Sequence, residues 1–218
     1  MSTSEPAASA VVWRVDDPRA LVAAEAAVRA GACLVLPTDT VYGIGADAFD
    51  AAAVQRLLDA KHRGRDMPPP VLVADVADLD EIAQTVPAGA RALAEAFWPG
   101  GLTLIVPVRP SLRLDLGDTR GTVAVRVPDH DPVRALLRRT GPLAVSSANT
   151  SGSPPATDVA TALAMLGDSV AVYLDGGPAP GETPSTIVDF AACATGRVLR
   201  QGVLGPDALR AVVPGLEG

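Results

Sequence analysis

The sequence predicts an α/β fold: one domain built on a twisted, open, mixed sheet with flanking helices. Three observations predict it. Short apolar extended segments alternate with amphipathic helical ones along the whole chain. The 218 residues are 48% hydrophobic and 20% charged, enough apolar material for a core and too little charge for a disordered polypeptide. No internal repeat, heptad pattern or long linker parts the chain into two.

Residues 1–10, MSTSEPAASA, read as a flexible N-terminal tail, and the domain as 11–213. Val11–Val15 reads as a strand, followed by Asp17-Pro18, an N-cap and first-turn proline that open a helix running to about Ala30. Cys33–Leu36 is a strand entering a polar loop, Pro37 to Gly43. Residues 51–61 form a helix with Val54, Leu57 and Leu58 on one face, and Val71–Val73 is a strand. Ala88–Trp98 is helical and Leu102–Pro107 extended. In the strand Thr122–Val127 the valines at 123, 125 and 127 share one face, and Thr122, Ala124 and Arg126 the other. Pro132–Arg139 is a helix, Leu143–Ser147 a buried strand and Asp158–Leu166 a helix capped by Thr157. Strands at Val170–Leu174, Ser185–Phe190 and Val198–Arg200 precede a last helix near Asp207–Val213. Gly176–Pro184 is a loop.

Composition excludes several functions. Lys+Arg 18 against Asp+Glu 25 gives −7, and aromatics are 3%, so neither counterion release nor base stacking supports a dedicated nucleic-acid binder. With only His62 and His130, and no Cys/His/Asp cluster at ligand spacing, no zinc site is expected. No GxSxG elbow, Walker A loop or GxGxxG element occurs. Cys33 and Cys193 read as free thiols, no secretory leader is evident and no apolar run approaches the ~18 residues of a membrane span, so a cytoplasmic protein without membrane contact is expected.

Four segments carry polar chemistry. Lys61-His62-Arg63-Gly64-Arg65 concentrates positive charge where a helix ends, on a chain that is negative overall. Lys61 is the only lysine among the 18 basic residues. The cluster either complements the helix C-terminus or receives a small polyanion such as a nucleoside triphosphate. Ser146 to Gly152, SSANTSG, follows a buried strand, where open α/β sheets bind ligands; it is either a phosphate cradle or an ordinary polar loop. Pro37 to Gly45, PTDTVYGIG, occupies a similar place. Arg126, opposite the valines of its strand, faces either solvent or an anion such as a carboxylate.

Taken together, the stretches LPTDTVYGIGADA (36–48), AKHR (60–63), FWPGGLTLIVP (97–107), TVAVRVPDH (122–130), SSANTSGSPP (146–155), PSTIVDF (184–190) and VLRQG (198–202) resemble the YrdC family, the threonylcarbamoyl-adenylate synthases. The resemblance covers nearly the whole chain. It implies a large concave ligand-binding surface and an enzyme, a nucleotidyltransferase, that converts L-threonine, bicarbonate and ATP into threonylcarbamoyl-AMP and pyrophosphate. Mg²⁺ would arrive with ATP, bound through its phosphates. The product would feed tRNA threonylcarbamoyladenosine formation through a separate transferase complex, with a weak tRNA contact as a further expectation.

By the same resemblance, the family's KxR…SxN pattern falls on Lys61, Arg63, Ser147 and Asn149, the expected catalytic and ATP-binding set. Thr122, Pro155 and Arg200 join them at ATP. Thr40, Arg126, Val145 and Ser185 are expected around L-threonine. Two contacts do not carry over: Met67-Pro68-Pro69 replaces a frequent Asn-Pro-Leu turn, and Leu72 stands where some members have a threonine-contacting histidine. The chain resembles the short form without an extra C-terminal domain, so its own loops would cover the nucleotide. Charge then suggests the chemistry: a carbamate and a triphosphate are both anions, and Lys61, Arg63 and Arg200 would screen their repulsion while Arg126 pairs with the threonine carboxylate. The alternatives are a nucleotide- or RNA-binding regulatory module without turnover, and the carbamoyl-phosphate chemistry of hydrogenase-maturation proteins, whose additional domains this sequence lacks.

Overall fold

The computed structural model describes residues 10–218. The expected tail therefore lies outside the described residues except for Ala10, which packs against the core. The chain runs β1 (Val11–Arg14), α1 (Pro18–Arg29), β2 (Leu34–Leu36), β3 (Gly43–Asp47), α2 (Ala51–Ala60), β4 (Val71–Leu72), α3 (Asp78–Ile82), α4 (Ala88–Phe97) and β5 (Leu102–Pro107). It continues with β6 (Thr122–Arg126), α5 (Asp131–Thr140), β7 (Leu143–Ser147), α6 (Val159–Leu166), β8 (Val172–Asp175), β9 (Thr186–Asp189), β10 (Arg197–Arg200) and α7 (Pro206–Val212). The ten strands make one sheet in the order β1-β8-β2-β3-β7-β4-β6-β5-β9-β10. It is mixed, as the sequence predicts: β1 and β2 each pair with β8, β4 with β6 and β5 with β9 in parallel, and the other neighbours are antiparallel.

Strand alternation sends side chains into two cores. Val35 and Tyr173 enter one, with Val54, Leu57 and Leu58 of α2, Leu93 of α4, Leu166 of α6 and Leu209 of α7. Their strand neighbours Leu34, Leu36, Val172 and Leu174 point to the opposite face, under Ala20, Ala24 and Val28 of α1 and Val133, Leu136 and Leu137 of α5. On this second face α1 packs on β1, β8, β2 and β3. Farther along the sheet, Thr103 and Ile105 of β5, Thr122, Ala124 and Arg126 of β6, and Ile187 of β9 line a cavity instead. The concave surface is thus the half of that face where the sheet meets no helix.

Three expectations need correction. No strand is expected from the sequence between the loop Pro37 to Gly43 and the helix that begins at 51, yet Gly43–Asp47 is a central strand between β2 and β7. Its glycines hide it, since glycine disfavours strands unless a neighbour approaches closely. Here one does: a Cβ on Gly43 would lie 2.6 Å from Val145 Cγ1. The α6 cap is Asp158, whose carboxylate accepts from the Thr161 N–H, rather than Thr157. The fold also runs past 213, with Leu216 buried and Glu217 bridged to Arg197. Among the described residues no helix is long and apolar enough to cross a membrane.

Gly43→Ala should lower stability by about 1–3 kcal/mol through overpacking against Val145. Thermal unfolding checks this, and Gly43→Ala/Val145→Ala should recover most of the loss. A melting temperature unchanged in the single variant would contradict it.

Candidate active site

The cavity holds about 330 Å³ and spans the length of β6, from Thr122, on the side where the turn that follows β7 lies, to Arg126 at its carboxyl end. It gathers Thr40, Arg63, Thr122, Arg126, Val145, Ser147, Pro155, Ser185 and Arg200, nine of the eleven residues expected to act. Among the described residues no carboxylate lines it, while three guanidiniums do. On a chain of net charge −7 this is a local positive focus suited to a small polyanion.

Arg126 anchors one end. It is 6% exposed, and Leu72 is its partner on β4. Nε donates to Gly100 O (2.9 Å), Nη1 to Thr40 Oγ1 (2.9 Å) and Nη2 to Asp39 Oδ1 (2.6 Å). Burial pulls its pKa down against the opposing pull of Asp39, and a guanidinium still stays charged at neutral pH. Of five N–H groups, three are committed and two remain for a ligand. The hydroxyls beyond it are oriented as well. Thr38 Oγ1 donates to Val41 O (2.7 Å) and accepts from Thr40 N–H (3.1 Å), so in its 3.0 Å contact with Thr40 Oγ1 the proton comes from Thr40. Thr40 Oγ1 then offers only a lone pair to the cavity, fitted to a ligand ammonium or hydroxyl.

Arg63 marks another part of the wall. Nη1 donates to Ser146 Oγ (2.8 Å), Nε is buried without a partner, and burial lowers its pKa. Lys61, the C-cap of α2, does not line the cavity. It is 2% exposed, and its ammonium donates to Ser147 O and to Asn149 O (2.5 Å). Burial, with a smaller push from Arg63, lowers its pKa to about 8. Asn149 also sits behind the wall, its Nδ2 donating to Thr150 O and Ser153 O, its Oδ1 buried and unpartnered. Ser151 N–H donates to Lys61 O in return, so lysine and turn are stitched together. A buried ammonium satisfied by carbonyls holds a loop in shape and adds charge from behind.

Separated from Arg126 by the two strands β5 and β9 and level with it, Arg200 Nε and Nη2 donate to Ser185 O, Ser185 Oγ lies 2.8 Å from Thr103 Oγ1, and burial lowers the Arg200 pKa. Thr122 spends its hydroxyl proton on Thr119 O (2.8 Å). The remaining wall comes from two loops, with Pro68, Pro69 and Pro70 in one and Leu116 and Thr119 in the other. Arg65 ties them: its guanidinium pairs with Asp115 and donates to Gln55 (3.1 Å), and its carbonyl accepts from Asp118 N–H (2.8 Å). Gly117 takes a φ of +111° against that carbonyl, leaving no room for a side chain. Met67 is exposed, whereas Leu72 is an apolar part of the cavity wall.

Sequence reasoning therefore missed Thr38 and Asp39, the Ser146 partner of Arg63, and Thr103. Thr38 and Asp39 lie in a motif it singled out, and Ser146 opens another. Thr103 gives a weak signal, as a lone hydroxyl in an apolar strand.

Comparison with known proteins agrees with the geometry. A family model for Sua5/YciO/YrdC proteins, described as "Telomere recombination", matches residues 26–202. A Mycobacterium tuberculosis protein, provisionally named threonylcarbamoyl-AMP synthase, is 53% identical over 195 residues, 89% of each chain. A Chromohalobacter salexigens protein named threonylcarbamoyl-AMP synthase is 40% identical over 183 residues, 82% of this chain and 95% of its own. Among solved structures, Sua5 of P. abyssi complexed with L-threonine superposes with a TM-score of 0.86 at 32% identity. That match covers 96% of this chain, which spans 61% of the longer protein. The chain belongs to the Sua5/YciO/YrdC family.

Proposed function

We propose that this protein is a threonylcarbamoyl-AMP synthase, making threonylcarbamoyl-AMP and pyrophosphate from L-threonine, bicarbonate and ATP. The observation that carries the proposal is one carboxylate-free cavity holding three separate guanidiniums, one of them coupled to a hydroxyl that can only accept from a ligand. A threonine carboxylate takes the two open N–H groups of Arg126. Its ammonium or hydroxyl meets Thr40, with Ser185 and the Val145 wall completing this end. The triphosphate lies toward Arg63, Arg200 and the Ser147 turn that Lys61 and Asn149 support, near Thr122 and Pro155.

The threonine ammonium gives a proton to solvent, the free amine adds to bicarbonate and water leaves, giving a carbamate. A carbamate oxygen then forms a bond to the α-phosphorus as the bond to the β-phosphate bridge breaks, and pyrophosphate departs with the electron pair. Arg63 and Arg200, with Lys61 behind them, counter the charge that builds on the departing phosphates. The carbamate is already a nucleophile, so no strong base is required of the chain. The described residues hold no cluster of three or more His, Cys, Asp or Glu side chains placed for a metal. Magnesium would arrive as part of the ATP substrate, held by phosphate oxygens.

The product would pass to a tRNA threonylcarbamoyl transferase complex, in the cytoplasm, with at most a weak tRNA contact of its own. Pyrophosphate release by the purified protein tests the reading, with threonine and bicarbonate omitted in turn. Release that needs both supports it; ATP binding with no release under any combination would overturn it in favour of a regulator.

A further inference from the structure

We infer that Asp39 is a positioning and specificity-determining residue: it fixes Arg126 for an amino-acid carboxylate and keeps phosphate away from that guanidinium. The inference rests on the synthase reading above. Asp39 Oδ1 accepts from Arg126 Nη2 (2.6 Å) and also from the Asp129 N–H (3.0 Å), so the carboxylate is itself anchored to the chain leaving β6. Asp39 is not among the residues lining the cavity and stands behind Arg126. The pair is mostly buried, with side-chain exposures of 8% for Arg126 and 17% for Asp39. Together with Gly100 O and Thr40 Oγ1 it fixes a long side chain on folding, so that ordering is not required on binding.

Charge gives the second half. Arg126 is the one cavity arginine held in an ion pair among the described residues; Arg63 and Arg200 donate only to uncharged oxygens. The cavity is therefore polarised. Arg63 feels only the weaker opposing charge of Asp66, and Arg200, near enough to Arg126 to push its pKa down, feels no carboxylate among the described residues, so both keep charge that favours phosphates. At Arg126 the adjacent carboxylate opposes both its own guanidinium and that of the nearby Arg200, and a carboxylate held this close repels a multiply charged phosphate more than a zwitterion whose own ammonium offsets its charge. One site must take a triphosphate and an amino-acid carboxylate without exchanging their places, and Asp39 supplies the distinction.

The test is steady-state pyrophosphate release by wild type, Asp39→Asn and Asp39→Ala, with threonine and ATP varied separately and inorganic phosphate added as inhibitor. Asp39→Asn keeps the acceptor oxygen and removes the charge; Asp39→Ala removes both. In Asp39→Asn we expect the threonine KM to rise about tenfold or more, with the ATP KM within about twofold. Phosphate should now compete with threonine at concentrations roughly tenfold lower than in wild type. A merely structural role would lower melting temperature and active fraction and leave phosphate competition unmoved. Threonine-dependent wild-type activity with threonine KM and phosphate inhibition unchanged in both variants would overturn the inference alone. Wild-type release indifferent to threonine would overturn the synthase reading and this inference with it.

Discussion

Lys61→Ala should lower pyrophosphate release by about 10²–10³-fold, the scale on which a preorganised charge or donor acts on a developing anion. Two losses combine. The positive charge behind Arg63 disappears, and the carbonyls of Ser147 and Asn149 lose their donor, so the turn beside the triphosphate relaxes. Leaving buried carbonyls unpaired costs about 1–3 kcal/mol each, so a moderate drop in melting temperature accompanies the loss of turnover. Arg63→Ala lacks the second effect in that form, because it frees only the Ser146 hydroxyl. It should lose turnover on a similar scale with a smaller change in stability. Wild-type rates in both variants would contradict the assignment.

The lowered pKa of Lys61 adds a pH signature. Burial brings it to about 8 from an ordinary value of 10.5. Between those values the unfolded chain binds the extra proton, so this group's contribution to stability rises with pH across the window. Stability through Lys61 therefore cannot explain activity that falls above pH 8. Relative to Lys61→Arg, whose guanidinium stays charged, the wild-type rate should decline above about pH 8 with no fall in melting temperature over the same range. A ratio that stays flat from pH 7 to pH 9.5 would contradict a role for the ammonium's charge.

Arg126→Ala has the second large effect, and it separates the two substrates. It removes the expected carboxylate contact and leaves Asp39 without its partner. Breaking a largely buried ion pair costs about 3 kcal/mol or more. For a chain of this length that corresponds to a fall in melting temperature of roughly 6–12 °C. The threonine KM should rise by about 100-fold, and the ATP KM should stay near wild type. Arg126→Ala/Asp39→Ala should recover much of the stability and none of the threonine affinity. A single variant with unchanged threonine dependence would refute the carboxylate role.

Much of this was legible in the sequence, for identifiable reasons. The period-two pattern of 122–127 placed Arg126 with Thr122 and Ala124 and opposite the valines, and those three residues line the cavity together. The remaining alternative, solvent or anion, could not be resolved because it depends on which half of the sheet α1 leaves bare. Segment 43–47 was obscured by glycines whose purpose, close approach to Val145, is a tertiary fact. Lys61 and Arg63 look equivalent in a five-residue basic run. The end of α2 turns one behind the wall and the other onto it, and Asn149 follows Lys61 for the same reason. Asp39 carried no signal of its own in one sequence, since its partner lies 87 positions away.

The most direct test of the central claim is to supply ¹³C-bicarbonate with ATP and L-threonine and weigh the nucleotide product. The account predicts an adenylate carrying threonine and one labelled carbon, formed in step with pyrophosphate. An unlabelled adenylate, or ATP consumed with no threonine in the nucleotide product, would contradict it.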